Sequence, residues 1–132
     1  MAACRDHASA SSNRPAAEAV SNSWAGQPDE IAAAVDDSGV SHGRAIVFAP
    51  AESCSIMVNE RESGLLADLK RTLERLKATN GSGSRAMLGS SSVVLPVEDG
   101  KLRLGTWQRV LLVELSEPAP RSVDIQIIGE HA

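Results

Sequence analysis

The chain has 132 residues and a formal net charge of −4, which is enough for one domain built around a single core. Acidic and basic residues are interspersed, and this excludes the clustered lysine and arginine of a general nucleic-acid or anionic-membrane surface. No apolar run reaches the length of a membrane span, and residues 1–13 lack the hydrophobic segment of a signal peptide. We therefore expect a cytoplasmic protein with reduced Cys4 and Cys54 that binds neither nucleic acid nor membrane.

The N-terminal part divides by composition near residue 22. Residues 1–22 are rich in alanine, serine and asparagine without helical or strand spacing, which predicts a disordered tail ahead of a domain over residues 23–132. A first helix is predicted to begin at Pro28, followed by two acids, and to end at Ser38 and Gly39.

Two short strands and a second helix are predicted next. Residues 44–49 form an apolar run, residues 53–59 alternate apolar and polar side chains, and we expect the two to pair antiparallel through residues 49–52. Ser63 is the predicted cap of a helix that lies as an amphipathic lid on a sheet, because leucines recur in it at steps of three and four: Leu66, Leu69, Leu73 and Leu76.

The remaining residues predict strands. Residues 93–97 and 101–104 flank Asp99 and Gly100, a strong hairpin signal. Residues 108–115 and 121–128 are expected to be two long strands, joined by a turn with two prolines. The total of about six strands and two helices, with an antiparallel bias, predicts an α+β fold.

The stretch from Leu102 to Leu115 is the most informative one. Gly105 interrupts its strand pattern, which is typical of a bulge, and precedes three side chains able to line a pocket. The nearly continuous apolar run from Val110 to Leu115 predicts a strand covered on both faces. Glu114 is its exception, either as a buried acid or at the sheet rim, and we favour the rim.

Several segments between about Asp29 and Gly129 together carry a resemblance to a known family. They are Val47-Phe-Ala-Pro50, Ile56-Met-Val-Asn-Glu60, Asp68-Leu69, Leu88-Gly-Ser-Ser91, Val93-Val-Leu-Pro-Val-Glu-Asp-Gly100 and Leu102-Arg-Leu-Gly-Thr-Trp-Gln108. These segments resemble the YjbQ family, sometimes described as secondary thiamine-phosphate synthases. The resemblance implies an α+β sandwich that assembles as a homotrimer, with a small polar pocket that contains histidines and often a bound metal or anion. It also implies an activity that joins a pyrimidine pyrophosphate to a thiazole phosphate.

The chain departs from the family pattern at the histidines. Ala51, Glu52 and Ser53 stand where the family has His-Thr-Thr, and Arg85 or Ala86 stands where a later histidine is expected. The three histidines of this chain are His7, His42 and His131, and none matches a family position. Because these replacements do not supply the imidazole ligands of a metal site, we expect no metal and no cofactor.

Candidate site residues follow from the segments that remain. Glu60 and Arg85 are candidate catalytic groups, although an Asn-Glu pair ahead of a helix can equally cap that helix. Arg85 stands among glycines that could cradle a phosphate, so a small phosphorylated ligand is a candidate partner. Cys54 is interpreted as a packing residue rather than a nucleophile. The candidate ligand-binding residues are Asn59, Glu60, Gly105, Thr106, Trp107 and Gln108.

Three functions stay open at this stage. The chain could be a divergent thiamine-phosphate synthase, a catalytically silent trimer with a degenerate pocket, or an interaction subunit that uses its tail or residues 116–120. We favour the silent trimer, because pyrophosphate displacement needs a metal or several cations.

Overall fold

The computed structural model describes residues 7–19, 24–26, 28–60, 62–79, 90–114 and 119–131. These residues form a sandwich of two antiparallel sheets with two helices, which confirms the α+β prediction. The elements are β1 (His7–Ala19), β2 (Trp24–Gly26), α1 (Pro28–Ser38), β3 (Val40–Phe48), β4 (Cys54–Glu60), α2 (Ser63–Thr79), β5 (Ser92–Glu98), β6 (Lys101–Leu102), β7 (Gln108–Glu114) and β8 (Ala119–His131). Strand order is β1-β8-β3-β5-β6 in one sheet and β2-β7-β4 in the other.

The core lies between the two sheets. Each sheet turns one set of alternate side chains inward, such as Val47 and Ile125 from the larger sheet and Ile56 and Leu112 from the smaller one. Helix α1 packs against this core through its apolar face, namely Ile31, Ala34 and Val35. The apolar run of β7 is buried at every position from residue 110 to 113, which confirms a strand covered on both faces.

The predicted pairing of the third and fourth strands with each other is wrong. β3 pairs with β5 and β8, whereas β4 pairs with β7 in the other sheet. The connection between them crosses from one sheet to the other. Two residues just before β5 accept hydrogen bonds from both strands: the Ser91 carbonyl from Ala49 N–H at 2.8 Å and the Ser90 carbonyl from Ile56 N–H at 2.7 Å. Sequence neighbours often pair, but here Pro50 and the turn after it separate the sheets.

The hairpin between β5 and β6 is confirmed. Val97 pairs with Leu102 and Glu98 with Lys101, so the connection has two residues. Asp99 and Gly100 both have positive φ, at 51° and 72°, as a turn matching the twist of an antiparallel pair requires. This turn brings β6 beside α1. The turn is also held to the start of β3, because Gly100 N–H donates to the Ser41 carbonyl at 2.9 Å.

Both predicted helices form, and a carboxylate caps the second. Helix α1 begins at Pro28 and is followed by Gly39 with φ of 69°, as predicted. Glu62 caps α2, because its carboxylate accepts from Gly64 N–H at 2.8 Å and from Leu65 N–H at 2.7 Å. The side chain of Ser63, the predicted cap, lies outside those described. A carboxylate at this end also complements the helix dipole.

The predicted lid contact of α2 depends largely on side chains that lie outside those described, namely Leu66, Leu73 and Leu76. None of the described side chains of α2 belongs to the core cluster. Among the described helices, neither combines the length and apolar character needed to cross a membrane.

The N-terminal segment differs from the prediction of a disordered tail. Residues 7–19 form β1, which pairs antiparallel with β8 from His7 opposite Glu130 to Ala16 opposite Arg121. An edge strand needs only backbone N–H and C=O groups for this pairing, and a proline such as Pro15 is tolerated there. The sequence of this segment did not predict a strand, because its small and polar residues show no alternation of apolar and polar side chains. Where the domain begins stays a prediction.

Candidate functional site

The start of β7 is a tight turn built by the Gly105 to Gln108 stretch. Gln108 N–H donates to the Gly105 carbonyl at 3.0 Å, and Gly105 N–H donates back to Oε1 of Gln108 at 2.8 Å. A Cβ at residue 105 would lie 3.0 Å from that same oxygen, so a larger residue would push the Gln108 side chain out of place. The glycine break is thus a turn closed by both backbone and side chain.

Strand β4 brings two further candidates beside this turn. Glu60 pairs with Gln108 and Asn59 with Arg109 across the ladder. Asn59 Oδ1 accepts from Glu60 N–H at 2.8 Å, so the pair holds the end of a strand and does not cap α2. Trp107 is 73% exposed. Arg85 lies outside the described residues.

A groove of about 570 Å³ opens beside the turn, between α1, β6 and the start of β7. Its apolar lining includes Val35, Leu102, Leu104 and Val110. Two of the predicted ligand-binding residues, Gly105 and Thr106, therefore line a cavity of the size that small molecules occupy. Trp107 and Gln108 are not among its lining residues.

The groove also has charged lining residues, and one of them, Arg109, is hydrogen-bonded to the turn. Its Nη1 donates to the Gln108 carbonyl at 2.7 Å and to the Thr106 carbonyl at 3.3 Å, and the residue is half-buried. Lys101 and Asp36 line the groove as well, one formal charge offsetting the other.

The opposite end of β7 carries a buried polar cluster. Glu114 is fully buried and accepts, at Oε2, from Arg121 Nε at 2.7 Å and from the Cys54 thiol at 3.0 Å. Arg121 Nη2 also donates to Ser53 Oγ at 3.1 Å. The favoured rim position for Glu114 is wrong, because β8 of the other sheet brings Arg121 to its carboxylate and compensates the loss of water.

The electrostatics of this cluster keep the thiol uncharged. Burial, followed by the hydrogen bond to Glu114, raises the pKa of Cys54 from 9.0 to about 11. The hydrogen bond to Glu114 likewise raises the pKa of Arg121. Since only a thiolate is an effective nucleophile, the interpretation of Cys54 as a packing residue is supported at neutral pH.

Arg121 was not a candidate from the sequence, although one signal pointed to it. A single acid inside an otherwise apolar, fully buried run needs a cationic partner, and Glu114 is such an acid. The partner lies only seven residues further along the chain, but in a strand of the other sheet.

The residues that match the family's His-Thr-Thr supply no imidazole here, and the later histidine position, Arg85 or Ala86, lies outside the described residues. Ala51 is partly buried and packs on the core, Glu52 is exposed, and Ser53 is held by Arg121. Among the described residues, no three histidine, cysteine, aspartate or glutamate side chains gather as a possible metal site.

The chain's histidines lie elsewhere. His131 is ten residues beyond Arg121 on β8, on the order of 30 Å along the strand, and its Nδ1 is 3.1 Å from the Gly39 carbonyl. His42 Nε2 is 3.5 Å from Asp99 Oδ1, and His7 pairs in the ladder with Glu130.

Comparisons with known proteins agree with the fold. The family model described as UPF0047 protein YjbQ-like matches residues 28–130. A UPF0047 protein of Archaeoglobus fulgidus is 36% identical over 98 residues, covering 65% of this chain and 78% of that protein. One of Methanothermobacter thermautotrophicus is 30% identical over 112 residues, covering 76% and 78%.

Solved structures extend the agreement to nearly the whole chain. A Clostridium acetobutylicum structural genomics target superposes with a TM-score of 0.81 at 30% identity, covering 90% of this chain and 99% of that one. A Sulfolobus solfataricus structure described as a YbjQ-like protein of unknown function gives a TM-score of 0.81 at 25% identity, covering 95% and 100%. The chain belongs to the family of YjbQ-like UPF0047 proteins.

Proposed function

We propose that this chain is a non-catalytic or strongly diverged YjbQ-family member that keeps the family fold and a degenerate pocket. The observation that carries the proposal is the closed state of the cluster at the ends of β4 and β7. Glu114 accepts from both Cys54 and Arg121, and Arg121 also holds Ser53. The thiol, carboxylate, guanidinium and hydroxyl of this cluster are therefore hydrogen-bonded to one another.

Charge supports the same proposal. Joining a pyrimidine pyrophosphate to a thiazole phosphate develops negative charge on the leaving group, which a metal or several cations must stabilise. The cation of this cluster, Arg121, is offset by the buried Glu114 carboxylate at 2.7 Å, and Cys54 is protonated at neutral pH because its pKa is about 11. A cluster with no net charge and no imidazole is a poor site for that reaction.

The test is an activity assay on the full chain. Purified protein is incubated with a pyrimidine pyrophosphate and a thiazole phosphate, with and without added zinc, and thiamine phosphate is quantified. We expect no product above the protein-free blank. Turnover that exceeds the blank and falls in the Arg121→Gln variant would establish the alternative function, a thiamine-phosphate synthase, and overturn the silent pocket.

We also propose that the chain assembles as a homotrimer. Two observations support an assembly: Val94 is 58% and Phe48 39% exposed on the outer face of the larger sheet, and exposed apolar side chains near one another are typical of interaction surfaces. The mass in solution, by light scattering, is expected to be three times the 13.8 kDa of the chain. A protein that stays monomeric at assay concentration would contradict the trimer.

A further inference from the structure

The groove between α1, β6 and the Gly105 to Gln108 turn combines partly exposed leucines with charged side chains. Its apolar side includes Leu102 and Leu104, which pack against the core but remain only partly buried. Leucine side chains left partly exposed in a concave surface gain free energy when an apolar group covers them. The groove volume of about 570 Å³ lies within the usual range for small-molecule sites.

Arg109 supplies the polar half of the same groove. The bonds from Nη1 to the Thr106 and Gln108 carbonyls, at 3.3 and 2.7 Å, fix the guanidinium against the turn. Among the described residues, Nε and Nη2 have no acceptor, and no carboxylate pairs with this arginine. A guanidinium held in place with one edge unused is suited to bind an oxyanion through two N–H groups.

We propose that this groove binds a small molecule that joins an apolar body to an oxyanion, with Arg109 holding the oxyanion and the leucines contacting the body. The formal charges of Asp36 and Lys101 cancel among the lining residues. Arg109 therefore gives the groove a net positive charge, which favours an anion. The proposal does not rest on the loss of catalysis, because no member of the buried cluster of Ser53, Cys54, Glu114 and Arg121 lines the groove.

The oxyanion can be a phosphate or a carboxylate, and the probes distinguish them. The full chain is titrated with phenyl phosphate, benzoate and inorganic phosphate while backbone amide shifts are followed by NMR. We expect phenyl phosphate or benzoate to shift amides of residues 32–36 and 100–110, and inorganic phosphate to bind at least about tenfold more weakly, because it lacks the apolar body.

Two variants test the assigned contacts. Arg109→Gln is expected to weaken the binding of the tighter aromatic probe about tenfold. The control is Arg103→Gln, which should leave that affinity unchanged, because Arg103 pairs with Glu98 and does not line the groove. Ala32→Trp fills the groove from an exposed position on α1 and should abolish binding, whereas Ala67→Trp on an exposed position of α2 should not.

Folding of each variant is checked by its thermal transition. If Arg109→Gln does not fold, Arg109→Lys replaces it and is expected to retain part of the affinity. The proposal is overturned if neither aromatic probe shifts the groove amides, if inorganic phosphate binds as tightly as they do, or if Ala32→Trp binds like the unmodified chain.

Discussion

The two ends of β7 differ in how their polar groups are satisfied. At the C-terminal end, Glu114 is fully buried and its carboxylate binds Arg121 and Cys54. At the N-terminal end, Arg109 is half-buried and rests on two carbonyls, beside a groove of about 570 Å³. One end is closed by its own side chains, whereas the other remains open to solvent and to ligands.

The C-terminal end of β7 therefore contributes mainly to the stability of the fold, whereas the N-terminal end offers groups that can bind a ligand. A buried ion pair with matched hydrogen bonds specifies the arrangement of the two sheets around it, and removing either partner leaves an uncompensated group. An exposed polar edge contributes little to folding but offers donors to a ligand. The turn at residues 105–108 belongs to the open end, away from the cluster of Glu114, Arg121 and Cys54.

The largest effect is expected from Glu114→Ala. Loss of the carboxylate leaves the buried Cys54 thiol and the part-buried Arg121 guanidinium without their shared acceptor. We expect the free energy of unfolding, measured in urea, to fall by about 3 to 5 kcal/mol.

The matched control is Glu98→Ala, which breaks the exposed ion pair with Arg103 at 3.0 Å and should cost no more than about 1 kcal/mol. Equal costs for the two variants would mean that Glu114 behaves as a rim residue and would remove the distinction between the ends of β7.

A pH dependence should come from Cys54. Its pKa is raised from 9.0 to about 11, so above pH 9 the unfolded chain releases a proton that the folded chain retains. The stabilisation is therefore complete below pH 9 and is lost as the pH rises through about 11, by at most about 2 to 3 kcal/mol. The loss is measured as the difference in unfolding free energy between the unmodified chain and Cys54→Ala, and parallel pH profiles would refute it.

A smaller effect is expected at the open end from Gln108→Ala. The variant removes the side-chain acceptor of Gly105 N–H, which is 2.8 Å away and exposed. We expect about 0.5 to 1 kcal/mol of destabilisation by urea unfolding, because water can replace part of the bond. A cost as large as that of Glu114→Ala would show that the turn, and not the cluster, holds β7 in place.

The smallest effect is expected from Trp107→Ala. The side chain is 73% exposed, so its removal should change the free energy of unfolding by no more than about 0.5 kcal/mol. A Trp107→Ala variant that also loses its oligomeric mass in light scattering would instead place this residue in a subunit contact.

Local patterns predicted the parts of the fold that local chemistry decides. Asp99 and Gly100 specify the hairpin turn because both adopt positive φ, and Pro28 and Gly39 bound α1 for the same kind of backbone reason. The apolar run of β7 predicted its burial, since no other environment suits four successive large side chains. The turn at Gly105 was also visible as a break in strand periodicity.

Contacts between the sheets could not be predicted in the same way. The neighbouring runs before and after Pro50 have the pattern of a hairpin, but their pairing depends on β5, β7 and β8, which lie far along the chain. The sequence favours the rim for Glu114, whereas burial depends on Arg121, a partner that lies in the other sheet. The backbone pairing of β1 has no side-chain pattern to reveal it.

A zinc titration by calorimetry, comparing the unmodified chain with Cys54→Ser at neutral pH, tests most directly whether the cluster at the C-terminal end of β7 is closed. Because Glu114 accepts hydrogen bonds from both Cys54 and Arg121, we predict that the substitution changes neither the stoichiometry nor the affinity of any zinc bound. Stoichiometric zinc binding that Cys54→Ser abolishes would contradict the account, because it would mean that the cluster opens to hold a metal.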